Sequence, residues 1–168
     1  MLESKYTRAF SAKDLLTMGV IFESTASKYY RFMAKYFQKD PEFKEMMIRF
    51  AEDDWTHRQA FKKMVSELEN NPKIFIDESD YQHVRMLMPE QFIKMDWDHP
   101  ESMSARDALL GVMKFEEKAM KWSKDVMMET RGFNQPLKPL LPLVEMIRSE
   151  EKHLAQVQGF YHQYYPMA

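Results

Sequence analysis

Apolar residues recur at helical spacing through four stretches of the chain, and nowhere do they alternate with period two over a useful length. In the first stretch, residues 12–38, Leu16, Val20, Glu23, Ser27, Tyr30, Ala34 and Phe37 share one stripe. Asp40-Pro41 breaks it, and proline suits the first turn of a following helix. The second stretch, residues 42–69, has the cleanest period: Phe43, Met47, Phe50, Asp54, His57, Phe61, Met64 and Leu68 step by fours and threes. Two polar residues of metal-ligating type thus interrupt an apolar seam. Asn70-Asn71-Pro72 stops it. The third, residues 104–131, opens at Ser104, whose hydroxyl can cap a helix ahead of Asp107, and carries Leu109, Val112, Glu116, Ala119, Ser123 and Val126. Arg131-Gly132, then Pro136, Pro139 and Pro142, mark the turn into a fourth, residues 139–163, with Leu143, Ile147, Glu150, His153, Val157 and Tyr161 inward.

This pattern predicts an all-α protein. Two antiparallel helical hairpins, joined by a long crossover over residues 72–103, make a four-helix bundle within a single domain spanning residues 1–168. A connection of about thirty residues is uncommon in a compact domain. It is accounted for if it travels the length of the bundle to begin the third helix.

The two halves repeat at a constant offset of 93. Ser11, Ala12, Asp14, Phe22, Glu23, Ala26, Lys28 and Tyr29 correspond to Ser104, Ala105, Asp107, Phe115, Glu116, Ala119, Lys121 and Trp122. Asp54-Trp55-Thr56-His57 follows the first copy and Glu150-Glu151-Lys152-His153 the second. Residues equally far from the turn of an antiparallel hairpin lie at equal height. Glu23 and the Asp54/His57 pair are symmetric about residue 39, and Glu116 and the Glu150/His153 pair about residue 134, both inside predicted turns. Each set lies roughly 25 Å from its turn at the helical rise. Residues three apart share a helix face, so each acid–histidine pair can address one site.

A single D-x-x-H or E-x-x-H arises readily by chance, and a lone core histidine is usually a packing residue. Four elements in order, at matched heights and in two copies, point instead to a metal site. Four acids and two imidazoles in an apolar core become tolerable if divalent cations compensate their charge. Oxygen-rich ligation with one histidine per metal favours iron or manganese over zinc or copper.

Composition narrows the classes further. The chain has 24 basic and 26 acidic residues, a net charge of −2 and no basic stripe, so no nucleic-acid partner is expected. It has no cysteine, which excludes disulfides, thiolate metal sites and a thiol nucleophile. No apolar h-region follows Lys5 and Arg8, and no stretch is long enough to span a bilayer, so a soluble cytoplasmic protein without a membrane partner is expected. The 16 methionines read as core filler.

The order Glu, D/E-x-x-H, Glu, E-x-x-H over four helices resembles the ferritin-like di-iron carboxylate proteins, and most closely their rubrerythrin branch. Phe22-Glu23-x-x-Ala26 with Tyr29-Tyr30, and Phe115-Glu116-x-x-Ala119, are similar to that branch's first and third helices, and Ser149-Glu150-Glu151-Lys152-His153 to its fourth. The resemblance takes in roughly residues 10–163 and leaves the crossover unmatched. It implies a ferritin-like fold and two iron ions, or manganese. Glu23 and Glu116 would be terminal carboxylates, Asp54 and Glu150 bridging acids, and His57 and His153 would complete one metal each. It also implies reduction of peroxide or dioxygen, and a homodimer. Three features depart from the family. Without cysteine there is no rubredoxin-type domain, so a separate electron-donor protein is expected. Met113 stands where the family has an additional glutamate. Asp54 stands where the family has glutamate, one methylene longer.

Two other functions stay open: iron storage, buffering or delivery without turnover, and a structural bundle whose site has degenerated. Tyr30 shares the Glu23 face and is read as a hydrogen-bond donor to a ligand, an electron relay or a core residue. Glu52, Asp53 and Trp55 are assigned to solvent or an interface, as is Glu117 to solvent. His83, Asp96, Asp98 and His99 in the crossover lack calcium-loop spacing and are read as surface loop. Phe160, Tyr161, Tyr164 and Tyr165 are expected to cover the bundle end or a partner subunit.

Overall fold

The computed structural model describes residues 12–37, 39–68, 103–129 and 141–165. These form four helices, α1 (Ala12–Tyr36), α2 (Pro41–Leu68), α3 (Ala105–Glu129) and α4 (Leu141–Tyr164), with no strand among the described residues. The crossover, including His83, Asp96, Asp98 and His99, lies almost entirely outside them, and so does part of the expected 1–168 domain.

The helix starts are set by local chemistry. Asp40 caps α2, its Oδ1 accepting the Phe43 amide at 3.0 Å, and Pro41 occupies the first helical position, where no amide donor is needed. At α3, Ser104 Oγ accepts the Asp107 amide at 3.1 Å and donates to Asp107 Oδ2 at 2.6 Å, a capping box closed by aspartate.

Contacts between helices fix their directions. Phe37 meets Phe43, Ser27 Oγ donates to the Ala51 carbonyl at 2.8 Å, and Gly19 lies against Phe61, so residue numbers fall on α1 as they rise on α2. Helix α3 also runs antiparallel to α1: Phe22 stacks on Trp122 and Phe115, while the Tyr29 hydroxyl lies near Gly111. Helix α4 is antiparallel to α3 (Arg106 with Tyr161, Ser123 with Met146) and to α2 (Phe43 with Phe160, Phe50 with His153). The order is therefore up, down, down, up. Helix α3 starts beside the α1–α2 turn, where Ala105 lines a surface hollow with Tyr36, Phe37 and Asp40. Leu68 ends α2 at the far end of a helix about 40 Å long at 1.5 Å per residue. The two ends that the crossover joins thus lie at opposite ends of the bundle.

The apolar stripes meet in one core of Leu16, Phe22, Met47, Phe50, Phe61, Leu109, Val112, Met146 and Val157, among others. Methionines 18, 33, 46, 47 and 146 are buried in it, as core filler should be. Helix α1 is buried around its whole circumference from Leu16 to Glu23, more than its single stripe suggested. Phe160 and Tyr165 pack on the core and Tyr161 is buried, so the terminal aromatics close the bundle end. Exposed Tyr164 donates its hydroxyl to Glu42 at 2.5 Å. None of the described helices is long and apolar enough to cross a membrane.

Candidate metal centre

Each helix contributes to one buried polar layer. Glu23 on α1, Asp54 on α2, Glu116 on α3, and Glu150 and His153 on α4 are all within about one per cent of complete burial, and His57 on α2 is mostly buried. They interrupt otherwise apolar stripes, so the packing that buries Phe50, Phe61, Val112 and Val157 carries these side chains inward with it.

Two groups form, each of a size to hold a metal ion. Glu23, Asp54 and His57 present ligand atoms within 4.8 Å of one another, and so do Asp54, Glu150 and His153. Asp54 belongs to both. The hairpins echo each other: His57 Nδ1 is 3.4 Å from Glu23 Oε1, and His153 Nδ1 is 3.4 Å from Glu116 Oε1. In each, the glutamate of the first helix meets the histidine of the second. Glu116 stands beside the second group, close enough to Glu150 for the two carboxyls to interact directly. Met113, one turn before Glu116, is partly buried and packs against the core.

The donor atoms are largely unmatched. Both oxygens of Glu23 and Asp54, Glu116 Oε2, Glu150 Oε1 and the Nδ1 atoms of His57 and His153 are buried with no hydrogen-bond partner. An unsatisfied buried polar group costs about 1–3 kcal/mol, and more when charged. Acceptor oxygens facing imidazole nitrogens at 3.4 Å are what a cation fits: it supplies positive charge and accepts lone pairs from both.

The same crowding raises the acids. Burial, offset in part by the His57 imidazole 3.4 Å away and reinforced by the Glu150 charge, pushes the Glu23 carboxyl up to about 7. Burial likewise lifts Glu116 to about 7, against the interaction with Glu150 and the hydrogen bond from Tyr30. Burial and then the Glu23 and Glu150 charges hold Asp54 well above the usual carboxylate range, and burial with Glu116 does the same to Glu150. For His57, burial lowers the imidazole, but the Glu23 carboxylate 3.4 Å away outweighs it and the net shift is upward.

Tyr30, left open between three roles, is fully buried and donates its hydroxyl to Glu116 Oε1. Burial, with Glu116 beside it, raises its phenol well above the ordinary value, so it stays a donor. Trp55 is exposed, with the Arg58 guanidinium 4.6 Å above its ring, and Glu117 is exposed as expected. Asp53, assigned from the sequence to solvent or an interface, also touches a histidine of the layer. Its side chain is 60% exposed, yet Oδ2 lies 3.2 Å from His153 Nε2 across the α2–α4 contact. Adjacency to Asp54 was the available signal: consecutive helical residues point about 100° apart, so one can face the centre while the other faces a neighbouring helix.

Comparison with known proteins bears on the first half of this centre. The Rubrerythrin family model matches residues 14–99, just over half of the chain. The match contains Glu23, Asp54 and His57, and it continues through residues 72–99, which the motif resemblance had left out. It stops short of Glu116, Glu150 and His153, which reach the same layer through the internal repeat and the packing of α3 and α4. No curated protein and no solved structure matches. With a family match over half its length and a bundle that brings two carboxylate–histidine groups together, the chain belongs to the rubrerythrin family.

Proposed function

We propose that the protein holds two iron ions through Glu23, Asp54, His57, Glu116, Glu150 and His153 and reduces peroxide or dioxygen in oxidative-stress defence. The supporting observation is the pair of buried acid–imidazole groups that share Asp54, with donor atoms lacking protein partners. Glu23 and His57 would serve one metal, His153, Glu150 and Glu116 the other, and Asp54 both. Oxygen-rich ligation with one imidazole each suits iron, with manganese next.

When bound, the two metals supply the electrons and Lewis acidity for breaking an O–O bond. The chain supplies the rest. The Tyr30 hydroxyl fixes Glu116 Oε1 and limits the swing of that carboxylate, leaving Oε2 turned to the layer. Burial raises the Glu150 carboxyl, so the metal-free layer takes up protons there that metal binding would release. Stacked Phe22 and Phe115, and Phe50 against the His153 ring, keep water from that side. His57, with a side chain 15% exposed, is where solvent comes closest. Electrons come from outside these 168 residues, since the chain has no cysteine, and a separate donor protein is part of the proposal. So are a homodimer and a cytoplasmic setting.

Aerobically purified protein should carry about two irons per chain, show ferric charge-transfer absorption, and consume peroxide with a rubredoxin-type donor. Protein that stays folded but takes up neither iron nor manganese would overturn the proposal. Iron oxidation without peroxide consumption would move it to iron storage.

A further inference from the structure

His153 is held on every side. Phe50 stacks on its ring at 4.0 Å and 18°, and Tyr30 meets it edge-on at 6.3 Å and 80°. Those contacts fix the plane of the imidazole but not which nitrogen carries hydrogen. That choice falls to the groups at its two nitrogens. Asp53 Oδ2 lies 3.2 Å from Nε2, with Ser149 Oγ 3.4 Å from the same atom, while Glu116 Oε1 lies 3.4 Å from Nδ1. The Nε2 contact has hydrogen-bond geometry, whereas Nδ1 is buried without a partner. Glu116 Oε1 already receives the Tyr30 hydroxyl.

We propose that Asp53 is a positioning residue: its carboxylate holds His153 as the Nε2–H tautomer, so that Nδ1 presents a bare lone pair to Asp54, Glu150 and Glu116. The role in metal binding rests on the reading given under Proposed function; the tautomer does not. Carboxylates that accept the second imidazole N–H are what orient metal-ligating histidines and raise their basicity. Helix α2 thereby acts twice at one level. Asp54 enters the layer, and Asp53, one residue earlier, reaches across to α4 from the solvent side. Among the described residues His57 has no such carboxylate on Nε2; Asp53 acts on it only as a nearby charge, so the imidazole that Asp53 orients is that of His153.

Two measurements test this on the full chain. Imidazole ¹⁵N shifts of the metal-free protein at pH 8, with His153 assigned by its loss in His153→Gln, should show a protonated Nε2 and an unprotonated Nδ1. Asp53→Ala should move both shifts toward a tautomer mixture, and Asp53→Asn, whose amide oxygen still accepts the N–H, should move them less. In Mn²⁺ titrations followed by EPR of the free ion, Asp53→Ala should weaken one of two equivalents about 10–100-fold and the other distinctly less. Asp53→Asn should fall between Asp53→Ala and wild type. The exposed position makes Asp53→Ala compatible with folding, and Asp53→Asn carries the test if it does not fold. Unchanged shifts together with an unchanged Mn²⁺ isotherm in the variants overturn the proposal. Wild-type protein that takes up no Mn²⁺ defeats the metal reading instead, and the nitrogen shifts then decide the role of Asp53 alone.

Discussion

The metal-free protein should lose stability as pH rises from 5 to 8, the reverse of what paired surface carboxylates produce. Glu23 and Glu116 have carboxyls raised to about 7 from an ordinary 4.5. Asp54 and Glu150 are raised as well. Over the interval between the two values the folded chain holds protons that the unfolded chain has released, so unfolding becomes easier as pH increases. His57, with its imidazole raised above 6.5, adds to the same trend, because its stabilisation is present at low pH and lost as pH passes its folded value. A rise of about 2.5 pH units corresponds to about 3 kcal/mol for each buried carboxyl. Two of them approach the whole stability of a typical domain, about 5–15 kcal/mol. At about 2–4 °C per kcal/mol for a chain of this length, the melting temperature should fall on the order of 10–20 °C.

Circular-dichroism melts of chelator-treated protein at pH 5, 6, 7 and 8 measure this directly. Adding Fe²⁺ anaerobically, or Mn²⁺, at pH 7.5 should restore the loss, since a ligand at about 100 times its Kd contributes roughly 2.7 kcal/mol per site. Glu150→Gln removes one buried acid and should both flatten the pH profile and diminish the metal response. A melting temperature that is level or rising between pH 5 and 8 would refute the reasoning, because it would mean that the acids do not share a dry layer.

Three further substitutions probe the frame around the layer. Gly19→Ala places a Cβ 2.6 Å from the Phe61 ring, and should destabilise by about 1–3 kcal/mol in denaturant titrations through a displaced α1–α2 contact. Tyr30→Phe removes the donor to Glu116 Oε1; it should leave the fold intact, cost about 1 kcal/mol and shift the ferric absorption of iron-loaded protein. Ser104→Ala removes the cap of α3 and should cost about 1 kcal/mol by urea unfolding, with metal uptake unchanged.

The four helices were legible because period and breakers agreed. Asp40-Pro41 ends one stripe and begins another, and Ser104 with Asp107 marks a start that the structure realises as a capping box. The polar layer was legible for a different reason. Equal distance from a turn means equal height in a hairpin, so counting alone paired Glu23 with His57 and Glu116 with His153, which the structure places 3.4 Å apart in each case. Contacts between hairpins were not accessible to that argument. Tyr30 on α1 meets Glu116 on α3, and Asp53 on α2 meets His153 on α4. Both depend on how the two hairpins are rotated against each other, which no count within one hairpin contains. Asp53 was also disguised by its exposure, since a surface acid on a helix is ordinarily a solvated one.

The shortened acid at position 54 has its answer in the spacing of α1 and α2. An aspartate in place of a glutamate loses one methylene of reach, so it can serve two groups only if its helix lies close to the layer. Two features bring α2 in, and they bracket Glu23 on α1. One turn before it, Gly19 has no Cβ and lets the Phe61 ring lie where a side-chain carbon would stand. One turn after it, the small Ser27 donates to the Ala51 carbonyl at 2.8 Å, a bond from side chain to neighbouring backbone that needs the helices in near contact. Ala26 and Ala51 are buried at the same level and add no bulk. With α2 drawn in on both sides, Asp54 lies within 4.8 Å of ligand atoms from both Glu23/His57 and Glu150/His153 despite its length. The aspartate and the glycine are then parts of one solution: the helix pair gives up side-chain volume at positions 19, 26, 27 and 51, and the acid at 54 gives up the methylene that this closeness makes unnecessary.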